Sequence, residues 1–128
     1  MFKKIYPNKP IIAVDFDGTI VENAFPKIGL LKKGFEIWYE TAKKFDCILI
    51  LWTCREDNLL KSAKKYLEKI GCPFDYYNEN NSEFETINCR KIPATVYIDD
   101  RAGFISWDSE LRKLKLLIKN WQRGIRNV

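Results

Sequence analysis

Histidine is absent from this 128-residue chain, and its four cysteines are scattered along it. No two cysteines form a C-x-x-C pair, whereas a zinc site normally needs paired cysteine or histidine ligands. The lack of histidine also excludes a Ser-His-Asp triad, a Cys-His dyad and a histidine general base. Any catalysis must therefore use carboxylates, hydroxyls, lysines or a metal ion bound by oxygen.

Long apolar segments are missing as well. No run approaches the ~20 residues that span a bilayer, and no apolar segment with a small-residue cleavage site follows the first residues. We therefore expect a cytoplasmic protein without a membrane partner. Hydrophobic residues make up 46% of the chain and aromatic residues 14%. A core can be buried, and we expect residues 1–128 to form a single domain.

The formal net charge is +5, and much of the basic excess lies near the C-terminus. Leu114, Leu117 and Trp121 recur there at helical spacing, between lysines such as Lys115 and Lys119. This pattern predicts an amphipathic helix with a solvated basic face. The alternative is a basic patch that contacts an anionic substrate or nucleic acid.

Short apolar runs alternate with helical patterns along the chain. Apolar runs occupy 11–14, 47–52, 74–77 and 94–98, and helical periodicity covers 31–45, 57–70 and the C-terminal stretch. A further minor edge strand is expected over 103–107. This alternation predicts an α/β fold, with one Rossmann-like, doubly wound parallel sheet of about five strands and helices on both faces. Ligands of such sheets bind at the carboxyl ends of the strands.

Acidic residues follow two of these predicted strands. Asp15-Phe16-Asp17-Gly18-Thr19 follows the first, and Asp99-Asp100 follows the run 94–98. Asp-Gly between apolar segments also favours a hairpin, but a hairpin explains neither carboxylate pair. Two carboxylates about 4 Å apart repel by ~4 kcal/mol at an effective dielectric of 20, so a cation is expected. Hard oxygen ligands favour Mg²⁺.

The order of four motifs resembles the haloacid dehalogenase (HAD) superfamily, in its phosphatase branch. Asp15-Phe16-Asp17-Gly18-Thr19 resembles the first motif, and the apolar run ending at Thr53 the second. Lys91 resembles the third, and Tyr97-Ile98-Asp99-Asp100 the acidic fourth. The segments between the motifs are too short for a cap domain, so the chain looks like a capless member. Such members tend to accept large or exposed substrates.

The resemblance implies a Mg²⁺-dependent phosphomonoester hydrolase with an aspartyl-phosphate intermediate. Asp15 would be the nucleophile and Asp17 the general acid and base, with neighbouring carboxylates favouring its protonated form. Mg²⁺ would be held by Asp15, Asp99 and the backbone carbonyl of Asp17. The phosphate-binding group would be Thr53, Lys91 and the turn at Gly18. Arg90 adjoins Lys91, and either could supply the phosphate-binding cation.

Further residues near the strand ends remain open in role. Asp100 is either a metal ligand or a neighbour of the ligands, and Arg55 either touches substrate or lies in solvent at a helix start. Arg101 could steer anions or pair with a carboxylate, and Asn78 is expected to form a turn.

The substrate class is open too: nucleotide, nucleic-acid end, sugar phosphate or phosphoprotein. The alternative functions are a receiver-like phosphoacceptor domain and a basic nucleic-acid-binding module.

Overall fold

The computed structural model describes residues 9–79 and 94–124 of the chain. Strands and helices alternate through them as predicted. The strands are β1 (Ile11–Val14), β2 (Ile48–Leu51), β3 (Tyr76–Tyr77) and β4 (Val96–Ile98). The helices are α1 (Phe35–Lys44), α2 (Asp57–Lys69) and α3 (Trp107–Gln122). None of these helices is long and apolar enough to cross a membrane.

The four strands form one parallel sheet in the order β3-β2-β1-β4. β1 is central, and its last residue, Val14, pairs with both Leu51 of β2 and Ile98 of β4. The carboxyl ends of these three strands therefore lie side by side. The parallel α/β, Rossmann-like architecture predicted from the sequence is confirmed.

The three described helices pack against one face of the sheet. Ile12 and Val14 of β1 belong to a cluster of buried residues that also includes Trp38 of α1, Leu67 of α2 and Leu114 of α3. A smaller cluster, made of Ile11, Ile48 and Ile50, lies on the opposite face. In the described ranges, helices therefore cover one of the two faces on which they were expected.

The prediction of a fifth strand over 103–107 is wrong. Residues 101–106 form turns and irregular backbone, and α3 begins at Trp107. The Ser106 side chain caps this helix by accepting a hydrogen bond of 3.1 Å from the backbone N–H of Ser109. Asp108 and Glu110 in the first turn also favour a helix start. The apolar residues read as a strand thus precede and open a helix.

The C-terminal helix is amphipathic as predicted. Leu114, Leu117 and Ile118 are buried, whereas Lys115 and Lys119 are exposed. Trp121 packs, partly buried, against the same core. The basic residues of α3 therefore occupy its solvent face.

Candidate active site

A compact turn follows β1 and carries both carboxylates of the first motif. The backbone N–H of Asp15 still donates to the Ile98 carbonyl of β4, at 2.9 Å. The Phe16 carbonyl then accepts hydrogen bonds from the N–H groups of Thr19, Ile20 and Val21. Gly18 has φ +86°, which favours glycine. The alternative hairpin is absent from this described segment, because β1 pairs in parallel on both sides.

Thr19 joins the ends of β1 and β4. It is fully buried, and its hydroxyl donates to Oδ2 of Asp15 at 3.1 Å while accepting from the backbone N–H of Asp100 at 2.9 Å. The Thr19 carbonyl accepts from the indole N–H of Trp107 at 2.9 Å, which ties the turn to α3. This network fixes one oxygen of Asp15 and the start of the 99–103 turn.

Three carboxylates converge where these two strands end. Asp15, Asp99 and Asp100 each offer one oxygen, and the three oxygens lie within 4.8 Å of one another. Gly18 makes room for this cluster, because a Cβ at that position would lie 2.4 Å from Oδ2 of Asp100. Gly18 therefore supports the acidic cluster in two ways. Its lack of a Cβ leaves space for Asp100, and its positive φ allows the turn after β1.

Burial and the clustering of negative charge raise the pKa values of two carboxyl groups. Burial raises the pKa of Asp15 from 3.8 to about 7, and the charge of Asp99 adds to this increase. The pKa of Asp100 is also raised, by loss of hydration and then by its hydrogen bond to Asp99 and the Asp99 charge. Arg101 and Lys32 oppose the increase at Asp100. A cation between these oxygens would relieve the repulsion.

Asp17 faces a cation rather than the carboxylates expected from the sequence. Its two oxygens accept hydrogen bonds from Nε and Nη2 of Arg55, at 2.7 and 2.8 Å. Arg55 is 1% exposed and also donates to the carbonyls of Lys27 and Leu59. Arg55 is therefore a buried anchor for Asp17, and neither the solvent position nor the substrate contact weighed for it fits this geometry.

Asn78 holds the loop that follows β2. Its side-chain oxygen accepts from the backbone N–H of Thr53 at 2.8 Å, and its amide nitrogen donates to the Arg55 carbonyl at 3.0 Å. The Thr53 hydroxyl in turn accepts from the Arg55 backbone N–H at 3.2 Å. Asn78 also has φ +55°, a conformation that asparagine tolerates. The chain bends at Asn78, and the hydrogen bonds of Asn78 to the Thr53 loop were not predicted.

A cavity of about 360 Å³ lies at the ends of these strands. Most of the predicted site residues line it: Asp15, Asp17, Thr53, Asp99, Asp100 and Arg101. Gly18 lies beneath Asp100, and its carbonyl accepts from Nζ of Lys32 at 2.6 Å. Lys91 and Arg90 lie outside the described residues.

Three further residues line the cavity without having been predicted there, namely Asn23, Phe25 and Cys54. Asn23 and Phe25 belong to the loop between the first turn and α1, which has no periodic pattern. Cys54 adjoins Thr53 and is exposed. Its place next to the predicted strand end is the one signal that could have included it.

The fold and the sequence match a solved structure. It is described as a conserved protein from Bacteroides thetaiotaomicron and shares 34% sequence identity with this chain, with a TM-score of 0.77. The match covers 84% of this chain and 91% of that chain. Neither a scan against protein-family models nor a search of curated proteins found a match.

Proposed function

The chain belongs to the same family as this conserved Bacteroides thetaiotaomicron protein, and we propose that it is a Mg²⁺-dependent phosphomonoester hydrolase of the HAD type. The observation that carries the proposal is the convergence of Asp15, Asp99 and Asp100 at adjoining strand ends. Asp17 and Thr53 line the same cavity. The order of these residues along the sequence resembles that of the motifs in HAD phosphatases.

The acidic cluster fits a magnesium ion. Its donors are carboxylate oxygens, which Mg²⁺ prefers, and the described part of the cavity wall has no histidine to favour a softer metal. Asp15, Asp99 and the backbone carbonyl of Asp17 would hold the ion, with Asp100 as a further ligand or neighbour. When bound, Mg²⁺ would neutralise charge on the phosphate oxygens and so favour attack by an anionic carboxylate.

Asp15 is the proposed nucleophile. Its Oδ2 accepts a hydrogen bond from the Thr19 hydroxyl, the Phe16 backbone N–H also donates to its carboxylate, and Oδ1 is proposed to attack phosphorus. The new bond joins Oδ1 to phosphorus, the bond from phosphorus to the alcohol oxygen breaks, and that oxygen takes up a proton. Thr53 and the cation expected at Lys91 or Arg90 would stabilise the phosphoryl oxygens.

Asp17 is proposed as the proton donor and acceptor. In the second step it must accept a proton from the water that attacks the aspartyl-phosphate, and the carboxylate bound by Arg55 is the form that can do so. In the first step it must carry a proton to the leaving alcohol, so one hydrogen bond to Arg55 has to be given up. Arg55 is therefore proposed to hold Asp17 in place for water activation.

The alternative functions receive less support. A receiver domain carries its phosphorylated aspartate after the third strand, where this chain has Tyr77 and then Asn78, a residue engaged by the Thr53 loop. A nucleic-acid-binding module would use the basic face of α3, and a solvated face explains those lysines equally well.

Replacing the nucleophile tests the proposal. Asp15→Asn should reduce hydrolysis of a small phosphate ester by about 10³-fold or more in the presence of Mg²⁺, because the amide cannot form the covalent intermediate. A chelator should likewise abolish turnover by the unmodified protein. Initial rates, with circular dichroism to verify folding, provide the measurement.

Asp46→Asn is the matched control. Asp46 is an exposed carboxylate before β2, ion-paired with Lys9, and its φ of +62° is compatible with asparagine. This variant should retain normal turnover. Near-normal activity of folded Asp15→Asn, or full activity in excess chelator, would refute the hydrolase mechanism.

A further inference from the structure

Phe25 is an exposed aromatic residue at the proposed catalytic cavity. It is 53% exposed, and among the large hydrophobic side chains exposed in the described parts of the chain it is the one that lines this cavity. Single exposed apolar residues are common on protein surfaces and need no special explanation. Because Phe25 lines the same cavity as the carboxylates and Thr53, its ring can contact a substrate bound there.

The ring of Phe25 is held in place by its surroundings. The Arg55 guanidinium lies 5.3 Å from the ring centroid, within cation–π range. Arg55 also donates to the Lys27 carbonyl in the same loop, at 3.0 Å. The Phe25 backbone N–H donates to the side chain of Asn23 at 3.3 Å. The cation–π contact favours one position of the ring, which reduces the conformational freedom lost when a ligand stacks on it.

The cavity is larger than a phosphate group requires. Its volume of about 360 Å³ falls within the ~300–1,000 Å³ of pockets that bind small-molecule ligands. The acidic cluster and Thr53 account for a phosphate and a metal ion, and Phe25 provides an apolar wall at the same cavity. A substrate that fills the cavity would therefore present a planar apolar group to this ring.

We propose that Phe25 is a specificity-determining residue, and that the preferred substrate is a phosphomonoester whose alcohol part carries a planar ring stacked on Phe25. The inference depends on the hydrolase function proposed above and extends it to a substrate class. The planar ring could be a nucleobase one sugar away from the phosphate, or an aryl group bonded directly to the phosphate oxygen.

Two substrates, one with a planar base and one without it, test this inference. Adenosine 5′-monophosphate and ribose 5-phosphate share the sugar and phosphate, so the ratio of their kcat/KM values isolates the base. The unmodified protein should prefer the nucleotide. Base–aromatic stacking loses ~1–3 kcal/mol on alanine substitution, so Phe25→Leu should lower kcat/KM for the nucleotide by roughly fivefold or more.

The variants also provide the controls. Phe25→Leu should lower kcat/KM for adenosine 5′-monophosphate several-fold more than kcat/KM for ribose 5-phosphate, and Phe25→Trp should keep the preference because it keeps a ring. Phe45→Leu is the matched control, since Phe45 is 41% exposed and follows α1, away from the carboxyl ends of the strands. It should behave as the unmodified protein. Phenyl phosphate, as a third substrate, distinguishes an aryl ester from a nucleobase.

Binding to Asp15→Asn separates this inference from the hydrolase proposal. Calorimetry with Mg²⁺ should show tighter binding of adenosine 5′-monophosphate or phenyl phosphate than of ribose 5-phosphate, lost with Phe25→Leu in the same background. Ring-dependent binding without turnover by the unmodified protein would refute hydrolysis and support the stacking role of Phe25. Turnover without any ring preference, or with a preference that Phe25→Leu leaves intact, would overturn the inference. If none of the three phosphates binds, both proposals fail.

Discussion

Gly18 permits a sharp test of the acidic cluster, because an added methyl group there would displace a single side chain. A Cβ on Gly18 would lie 2.4 Å from Oδ2 of Asp100, whereas ordinary contact begins near 3.4 Å. In Gly18→Ala the carboxylate must therefore retreat by about 1 Å. Asp100 is exposed, so its side chain can rotate away at low cost to folding, but it then leaves its place beside Asp15 and Asp99.

Gly71 provides a control with the same backbone conformation and no neighbour. Its φ is +80°, against +86° at Gly18, and nothing lies within 4 Å of the Cβ position. Both alanine variants therefore carry the cost of a left-handed conformation, about 1–2 kcal/mol. Only Gly18→Ala should also weaken Mg²⁺ binding. Disturbing a group next to metal ligands typically costs 10–100-fold in affinity, so we expect a loss of roughly that size.

Thermal unfolding with and without Mg²⁺ measures both effects. The two variants should lose similar stability in chelator, whereas the Mg²⁺-dependent rise in Tm should shrink in Gly18→Ala alone. In an Asp100→Ala background the obstructing oxygen is gone, and adding Gly18→Ala should weaken Mg²⁺ binding no further. Equal Mg²⁺ affinities for the unmodified protein and Gly18→Ala, or an equal loss in Gly71→Ala, would show that the contact between Gly18 and Asp100 has no part in metal binding.

Three further predictions concern the groups around the nucleophile. Arg55→Gln leaves the Asp17 carboxylate without its buried partner and should lower the free energy of unfolding by about 3–5 kcal/mol. Adding Asp17→Asn should recover part of this loss. Additive losses of the two variants in denaturant unfolding would contradict the pairing. Thr19→Val should cost about 1–3 kcal/mol in the same assay, because the hydroxyl of the fully buried Thr19 joins the Asp15 carboxylate to the Asp100 backbone N–H, whereas Thr41→Val, at an exposed hydrogen bond of α1, should cost far less. In chelator, Tm should fall as the pH rises from about 4 to about 7, because the native state retains the Asp15 proton that the unfolded chain has released; an unchanged slope in Asp15→Asn would refute this assignment.

Apolar patterning predicted the parallel sheet and the three described helices, but not the number of strands or the start of α1. The run predicted over 11–14 is β1, and the helical pattern over 57–70 matches α2 to within one residue. The start of α1 was placed too early, because Leu31 and Lys32 pair with the first turn before Gly34, at φ +93°, lets the helix begin. The periodicity of a segment does not indicate that its first residues pair with another part of the chain.

The site was predictable wherever its residues end neighbouring parallel strands. Asp15 and Asp99 were placed together for this reason, and the structure brings their oxygens within the same cluster. The partner of Asp17 was not predictable, because Arg55 lies 38 residues away and a charged residue at a helix entrance is usually exposed. Phe25 escaped prediction since a loop without periodicity gives no indication of which side chain faces a cavity.

The distribution of charge in the cavity sets Asp17 apart from the other three carboxylates. Four carboxylates line the cavity, and Arg55 neutralises Asp17 through two short hydrogen bonds. Asp15, Asp99 and Asp100 remain close together, and burial, followed by the interaction with Asp99, raises the pKa values of Asp15 and Asp100. Lys32 and Arg101 only moderate the effect at Asp100. The ion pair with Arg55 thus engages the side chain of the proposed acid and base, and it leaves the other three carboxylates as proposed ligands or neighbours of Mg²⁺, together with the backbone carbonyl of Asp17.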